Sequence, residues 1–112
     1  MIMESIIAIG RFCSEHSINR NGIPFDVKIC VYQDKGEKIF ERTTECVFIE
    51  NHGYHQIELG IDWGIDINFL RKNGIFQTYN TNFQNFKYDR GELIITNKTG
   101  NGFTIVLSSP IK

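Results

Sequence analysis

The sequence has no long apolar run, no excess of either charge and no closely spaced cysteines. Its 112 residues include 12 Lys and Arg against 13 Asp and Glu, and 22% of residues are charged. A membrane-spanning helix needs about 20 consecutive apolar residues, and the early apolar run Ile6–Ile9 is too short even for a secretory core. We therefore expect a soluble, cytoplasmic protein with no membrane partner.

Leucine, methionine and alanine are also scarce, and this scarcity indicates the fold class. These three types supply only 7 residues, whereas Ile, Phe, Thr, Val, Tyr and Trp supply 43. β-Branched and aromatic side chains fit the pleated surface of a strand better than they fit a helix. The composition therefore predicts a mainly β protein, and its length is that of one domain over residues 1–112.

The clearest strand is Phe25–Tyr32, where apolar and polar residues alternate. Its apolar face consists of Phe25, Val27, Ile29 and Val31. The chain then turns at residues 34–37 and returns along Lys38–Glu50. If Lys35 and Gly36 form a two-residue loop, Phe25 pairs with Cys46 and Val31 pairs with Phe40, a register that also puts Arg42 on the apolar face.

The remaining segments predict an antiparallel meander. We expect a first strand at Ser5–Cys13, and later strands at Tyr54–Ile61, Ile75–Tyr79, Asn85–Asp89, Glu92–Asn97 and Phe103–Ser108. The last two carry apolar residues on both faces, which favours a central position in the sheet. A helix is predicted at Asp62–Gly74, where Asp62 can cap the start. The expected architecture is an antiparallel seven- or eight-stranded sandwich or small barrel with at most one short helix.

The sequence contains no pattern typical of a catalytic or metal site. Cys13, Cys30 and Cys46 lack the close spacing of metal ligands, so we expect free, buried thiols. His52 and His55 are three residues apart, a spacing that separates their side chains on a strand. No Gly-rich phosphate loop or nucleophile motif occurs. We therefore expect no enzyme activity, no cofactor and no metal.

Acidic residues are concentrated in the middle of the chain. Residues 41–66 hold six acids against Arg42, whereas residues 67–112 hold two acids against six bases. One interpretation is an acidic surface that attracts an oppositely charged partner; the other is acids and bases interleaved on neighbouring strands as solvated pairs. Under the first, Trp63 is an exposed aromatic anchor; under the second, it belongs to the core. The candidate partner-binding residues are Glu45, Glu50, Glu58, Asp62, Trp63 and Asp66.

A non-catalytic inhibitor is the function that an acidic surface favours. Carboxylates that mimic phosphates can block the basic active site of a toxin such as a nuclease, and their charge speeds association. As a small, catalysis-free β domain rich in Ile, Asn and Phe, the chain resembles bacterial immunity proteins of contact-dependent and related polymorphic toxin systems. The resemblance lies in overall character and in no motif, so it implies a cognate toxin as partner but no residue roles.

A nucleic-acid-binding β module is the second hypothesis. Aromatic and basic residues alternate in the C-terminal half, as on a stacking platform for single strands. They are Phe69, Arg71, Lys72, Phe76, Tyr79, Phe83, Phe86, Lys87, Tyr88 and Arg90. The pI of about 6.3 is lower than such modules usually have. A third alternative is a hollow barrel that encloses an apolar ligand, because strand number alone does not distinguish filled from hollow barrels.

Overall fold

The computed structural model describes residues 2–33, 36–51, 53–60, 78–98 and 102–109. These residues form one helix and seven strands. The elements are α1 (Ile2–Glu15), β1 (Phe25–Tyr32), β2 (Lys38–Asn51), β3 (Tyr54–Gly60), β4 (Thr78–Asn80), β5 (Gln84–Asp89), β6 (Glu92–Asn97) and β7 (Thr104–Ser108). The expected mainly β class is confirmed.

All seven strands belong to one antiparallel sheet with the order β4-β3-β2-β1-β7-β6-β5. Each neighbour in this order is also a neighbour in sequence, except at the β1–β7 pair. The sheet therefore consists of two meanders, β1–β4 and β5–β7. They are joined by pairing between β1, the first strand of one meander, and β7, the last strand of the other. Of the last two strands, for which a central position is expected, β7 lies between β1 and β6 near the middle of the sheet, whereas β6 lies next to the edge strand β5.

The sheet curves into a nearly closed barrel. Strands β4 and β5 lie at opposite ends of the hydrogen-bonded order, yet only residues 81–83 separate them in the chain. Two hydrogen bonds hold this corner against β3. The Thr81 N–H donates to the His55 carbonyl at 3.0 Å, and the His55 N–H donates to the Thr81 side-chain Oγ1 at 3.1 Å. The two ends of the sheet are thus brought together, with a gap between them.

Residues Ser5–Cys13 form the middle of helix α1, so the predicted first strand is wrong. The buried positions follow helical spacing and are Ser5, Ala8, Ile9, Phe12 and Cys13. The isoleucine content suggested a strand, but the spacing of buried residues outweighs a weak intrinsic preference. The helix packs mainly on β5 and also contacts β6 and β3, so it covers strands on both sides of the barrel gap.

The helix and the inner face of the sheet share one hydrophobic core. The ring of Phe12 lies 6.1 Å from that of Phe48 on β2, and Phe25 meets Phe48 edge-on at 5.2 Å. Ile29, Ile57, Leu93 and Leu107 on four different strands are fully buried. Side chains from the helix thus contribute to the barrel interior, which is the arrangement of a filled barrel.

The predicted hairpin register is confirmed for most of β1. Phe25 pairs with Cys46 and Val31 pairs with Phe40, and Arg42 lies opposite Ile29 on the apolar face. The Arg42 guanidinium lies 5.2 Å from the centre of the Phe40 ring. The register shifts by one residue between Val31 and Tyr32, and Lys35 of the predicted two-residue loop lies outside the described residues.

Six of the predicted strand segments closely match observed strands, namely β1, β2, β3, β5, β6 and β7. For the segment Ile75–Tyr79, the structure shows a strand only from Thr78 onwards, and residues 75–77 lie outside the described residues. The helix predicted at Asp62–Gly74 also lies outside them.

We expect Ser5→Ala to lower the free energy of unfolding by about 1 to 3 kcal/mol, because it leaves a buried strand N–H without an acceptor. Ser5 is buried, and its Oγ accepts a hydrogen bond of 2.9 Å from the Phe86 N–H on β5. Urea denaturation measures the change. The exposed Ser14 on the same helix provides the control, since Ser14→Ala removes no buried partner; equal effects of the two variants would contradict the role of Ser5.

Candidate functional site

Three acidic side chains meet on the outer face of β1, β2 and β3. Asp26 on β1 lies directly opposite Glu45 on β2. On its other side, Glu45 pairs with Gly60 on β3. Glu58 is two residues from Gly60 on the same strand, so Glu58 is the diagonal neighbour of Glu45. Such neighbours are about 7 to 8 Å apart. All three carboxylates are exposed, and we call this surface the acidic face.

The acidic face has no cation within ion-pair distance among the described residues. Lys28 is the diagonal neighbour of Glu45, but its Nζ lies 3.0 Å from Glu41. Lys38 binds the same carboxylate. Hydrogen bonds from Lys38 and Lys28 lower the pKa of Glu41. Glu41 is thus neutralised by two lysines, whereas Asp26 and Glu45 face each other as like charges, an arrangement that destabilises a sheet.

Apolar groups border the acidic face. Val47 pairs with Glu58 and is half-buried, and Ile23 is 53% exposed. Ile23 precedes β1 in a stretch that runs along β2, because Asn21 forms a bridge with Ile49. Pro24, Glu45, Val47 and Glu58 line a shallow depression of about 120 Å³. A mixture of exposed apolar groups and charges that pair with no described cation suits contact with another protein.

The structure brings together only some of the predicted binding residues. Glu45 and Glu58 share the acidic face, but Glu50 lies on the other face of β2, because residues an odd number apart on a strand point to opposite sides. Glu50 therefore does not adjoin Glu45 and Glu58 on the acidic face. Asp62, Trp63 and Asp66 lie outside the described residues.

Asp26 is the member of the acidic face that sequence reasoning missed. It lies in a chain segment whose acids and bases balance, so the charge count gave no reason to select it. The signal was in the hairpin register, since pairing Phe25 with Cys46 places Asp26 opposite Glu45.

The aromatic and basic residues of the C-terminal half do not all face one groove. Tyr79 and Phe86 are buried in the core and are not available for stacking on bases. The Tyr88 hydroxyl bonds to Glu15, and the Arg11 guanidinium lies 4.3 Å from the Tyr88 ring centre. Phe83 is 66% exposed. Four of the ten residues, Phe69, Arg71, Lys72 and Phe76, lie outside the described ranges.

His55 is the buried titratable group nearest to Glu50. Its Nε2 lies 3.7 Å from the Glu50 carboxylate, and its buried Nδ1 has no hydrogen-bond partner among the described residues. Burial lowers the pKa of His55, although Glu50 partly opposes this effect. His52, the other member of the histidine pair, lies outside the described residues.

The three cysteines are free and buried, as expected. Burial raises the pKa of Cys13 to about 12 and raises the pKa values of Cys30 and Cys46. The thiolate is the reactive form of cysteine, so raised pKa values make these thiols poor nucleophiles near neutral pH. Over the ranges that the structure covers, His, Cys, Asp and Glu form no group of three or more that could hold a metal.

Comparison with protein-family models, with curated proteins and with solved structures found no match to this chain. Within the described ranges, no helix combines the length and the apolar character needed to span a membrane. Any role of the acidic face must therefore be inferred from the residues that form it.

We expect Glu45→Lys to raise the free energy of unfolding by about 0.2 to 1 kcal/mol at low salt, because it replaces a like-charge cross-strand pair with Asp26 by an opposite-charge pair. Added salt should reduce the gain. Denaturation at two salt concentrations measures it. The control is the exposed Glu37, which precedes β2, and Glu37→Lys should raise the free energy of unfolding by less. A loss of stability in Glu45→Lys would show that the carboxylates of Asp26 and Glu45 do not repel each other.

We expect the free energy of unfolding to fall as the pH is lowered below about 6.5, the ordinary pKa of histidine, because His55 binds a proton more readily when unfolded than when buried. The pKa of His55 is lower in the folded state than in the unfolded state. The stability that depends on neutral His55 is therefore present above about pH 6.5 and is lost as the pH falls. His55→Leu should flatten the slope in this window, and denaturation at several pH values measures it. An unchanged slope would contradict the assignment.

Proposed function

We propose that this chain is a non-catalytic inhibitor that binds a cationic protein through the acidic face, in the manner of an immunity protein or antitoxin that neutralises a cognate toxin. The supporting observation is that Asp26, Glu45 and Glu58 adjoin on three neighbouring strands with no described cation paired to them. The basic active site of a nuclease is a protein surface that complements such a group.

The repulsion between Asp26 and Glu45 favours a binding function. These side chains are directly opposite, and replacing either by a neutral residue would relieve the repulsion without loss of a described ion pair. A cationic partner relieves the same repulsion when it binds, so its affinity includes the release of this unfavourable interaction. Binding surfaces often retain residues that lower the stability of the free protein.

The exposed apolar groups beside the acids favour a protein partner. Long-range charge attraction speeds the encounter, whereas apolar contacts that exclude water slow dissociation. Ile23, three residues before Asp26 in the chain, is 53% exposed and can supply such a contact.

We expect the double variant Glu45→Lys/Glu58→Lys to bind a cationic probe at least about tenfold more weakly than the unmodified protein, because two attractions become repulsions. The probe is a lysine oligopeptide, and isothermal titration calorimetry at low and physiological ionic strength measures its affinity. The difference between the two proteins should shrink as salt is added.

The matched control for this experiment is Glu37→Lys/Glu92→Lys. Both glutamates are exposed and lie outside the acidic face, and this variant changes the formal net charge by the same amount. We expect it to lose much less affinity. Equal losses in the two double variants would show that net charge, and not the acidic face, determines binding, and would overturn the proposal.

The inhibitor role itself is tested with the product of the reading frame directly upstream. We expect a toxic protein that copurifies with this chain and loses its activity in the complex. A neighbour that is harmless, or a toxin that stays active in the complex, would contradict inhibition. Titration of single-stranded RNA and DNA at two salt concentrations separates the nucleic-acid hypothesis, for which binding at low salt is required.

A further inference from the structure

The barrel wall has a notch beside the acidic face. Strand β7 pairs with β1 only from Lys28 to Tyr32, because β7 ends at Ser108. On that side, no described residue pairs with the first residues of β1, Phe25–Val27. The last turn of α1 and the residues that follow it lie behind this opening. The result is an open cavity of about 480 Å³.

The floor of the notch is apolar and held in place by ring packing. Phe12, Ile18, Phe25 and Val27 line it. The rings of Phe12 and Phe25 both pack against Phe48, which is fully buried behind them. His16 also lines the notch; its ring packs on Phe12 at 4.7 Å, and its Nε2 lies 2.9 Å from the Gly91 carbonyl oxygen. The floor is therefore formed before any ligand binds.

The rim of the notch is polar and carries negative charge. Hydroxyl groups come from Thr43 and Ser108, and the carboxylate comes from Asp26. Asp26 also belongs to the acidic face, so the notch and that face are continuous. Asp26 has no ion-pair partner among the described residues, and Glu45 opposite it adds negative potential. A group that is apolar at its inner end and cationic at its outer end complements this arrangement.

We propose that the notch binds an aromatic side chain flanked by a lysine or arginine on the partner protein, with the ring against Phe25 and Ile18, the two partly buried apolar residues of the lining, and the cation beside Asp26. This inference rests on the proposed function, because it names the part of the cationic partner that anchors the complex. Aromatic residues seated in preformed pockets account for much of the affinity at protein interfaces. The cavity volume is within the range of small-ligand sites, so it accommodates one ring.

Two small probes of matched shape test the proposal on the isolated protein. Phenethylammonium carries the cation and phenylacetate carries an anion on the same ring. NMR titration should show phenethylammonium shifting the resonances of Phe25 and Val27 with weak, millimolar affinity. Phenylacetate should bind roughly tenfold more weakly at low salt, because its charge is repelled by Asp26.

Two variants separate the contributions of charge and shape. Asp26→Asn should bring the affinities for the two probes within about twofold of each other, because it removes the charge that discriminates between them. Ser108→Phe should fill the notch and abolish binding of both probes. If Ser108→Phe does not fold, the unmodified protein and Asp26→Asn decide the question through the difference between the two probes.

Absence of shifts at Phe25 and Val27, or equal affinity of the unmodified protein for both probes, would overturn the proposal. These failures are distinct from failure of the proposed function, which is judged from Glu45 and Glu58 with a lysine oligopeptide. A protein that binds the oligopeptide but neither small probe has an acidic face without an anchoring notch.

Discussion

The fold depends on the packing of helix α1 against the inner face of the curved sheet. Without the helix, the apolar inner faces of strands on both sides of the gap would be open to water at that point. Phe12 and Ile9 enter the same core as residues from β1, β2 and β3. Ser5 adds an acceptor for a backbone N–H of the edge strand β5, so the helix also protects a sheet edge that would otherwise be available for pairing.

This packing leaves the outer face of the sheet free to carry charge. The inner face of β1 and β2 is committed to the core, and the outer face carries Asp26, Glu41 and Glu45 in strict alternation with it. Glu41 is neutralised by two lysines, so it contributes little to the potential that a partner meets. Asp26 and Glu45, which pair with no described cation, form together with Glu58 the surface on which the proposed function rests.

The notch and the acidic face have a common structural origin. Because β7 stops at Ser108, no described residue pairs with the start of β1 on that side, and Asp26 lies at the rim of the opening. The same residue faces Glu45 across the hairpin. A partner that seats a ring in the notch would therefore place its cations near the acidic face. One docking event can thus combine apolar burial with charge neutralisation.

Strand positions and the hairpin register were readable from the sequence because they depend on local alternation. Phe25–Tyr32 shows a period of two so clearly that the pairing partners of its residues followed from one assumption about the turn. The same register contained the Asp26–Glu45 pair, and the alternation along β2 already separated Glu45 from Glu50. The sequence contained both features, but the number of charges in each chain segment does not show them.

By itself, the sequence determined the β class, the positions of most strands and the burial of the free thiols, and it predicted the register of most of the first hairpin from an assumed turn. The tertiary structure alone decided that residues 2–15 form a helix, that β1 pairs with β7, and that Asp26 and Glu58 meet on one surface. The physical reason is the range of the interactions. Alternation and turn chemistry act between near neighbours, whereas the helix is stabilised by a core that exists only once distant strands have assembled.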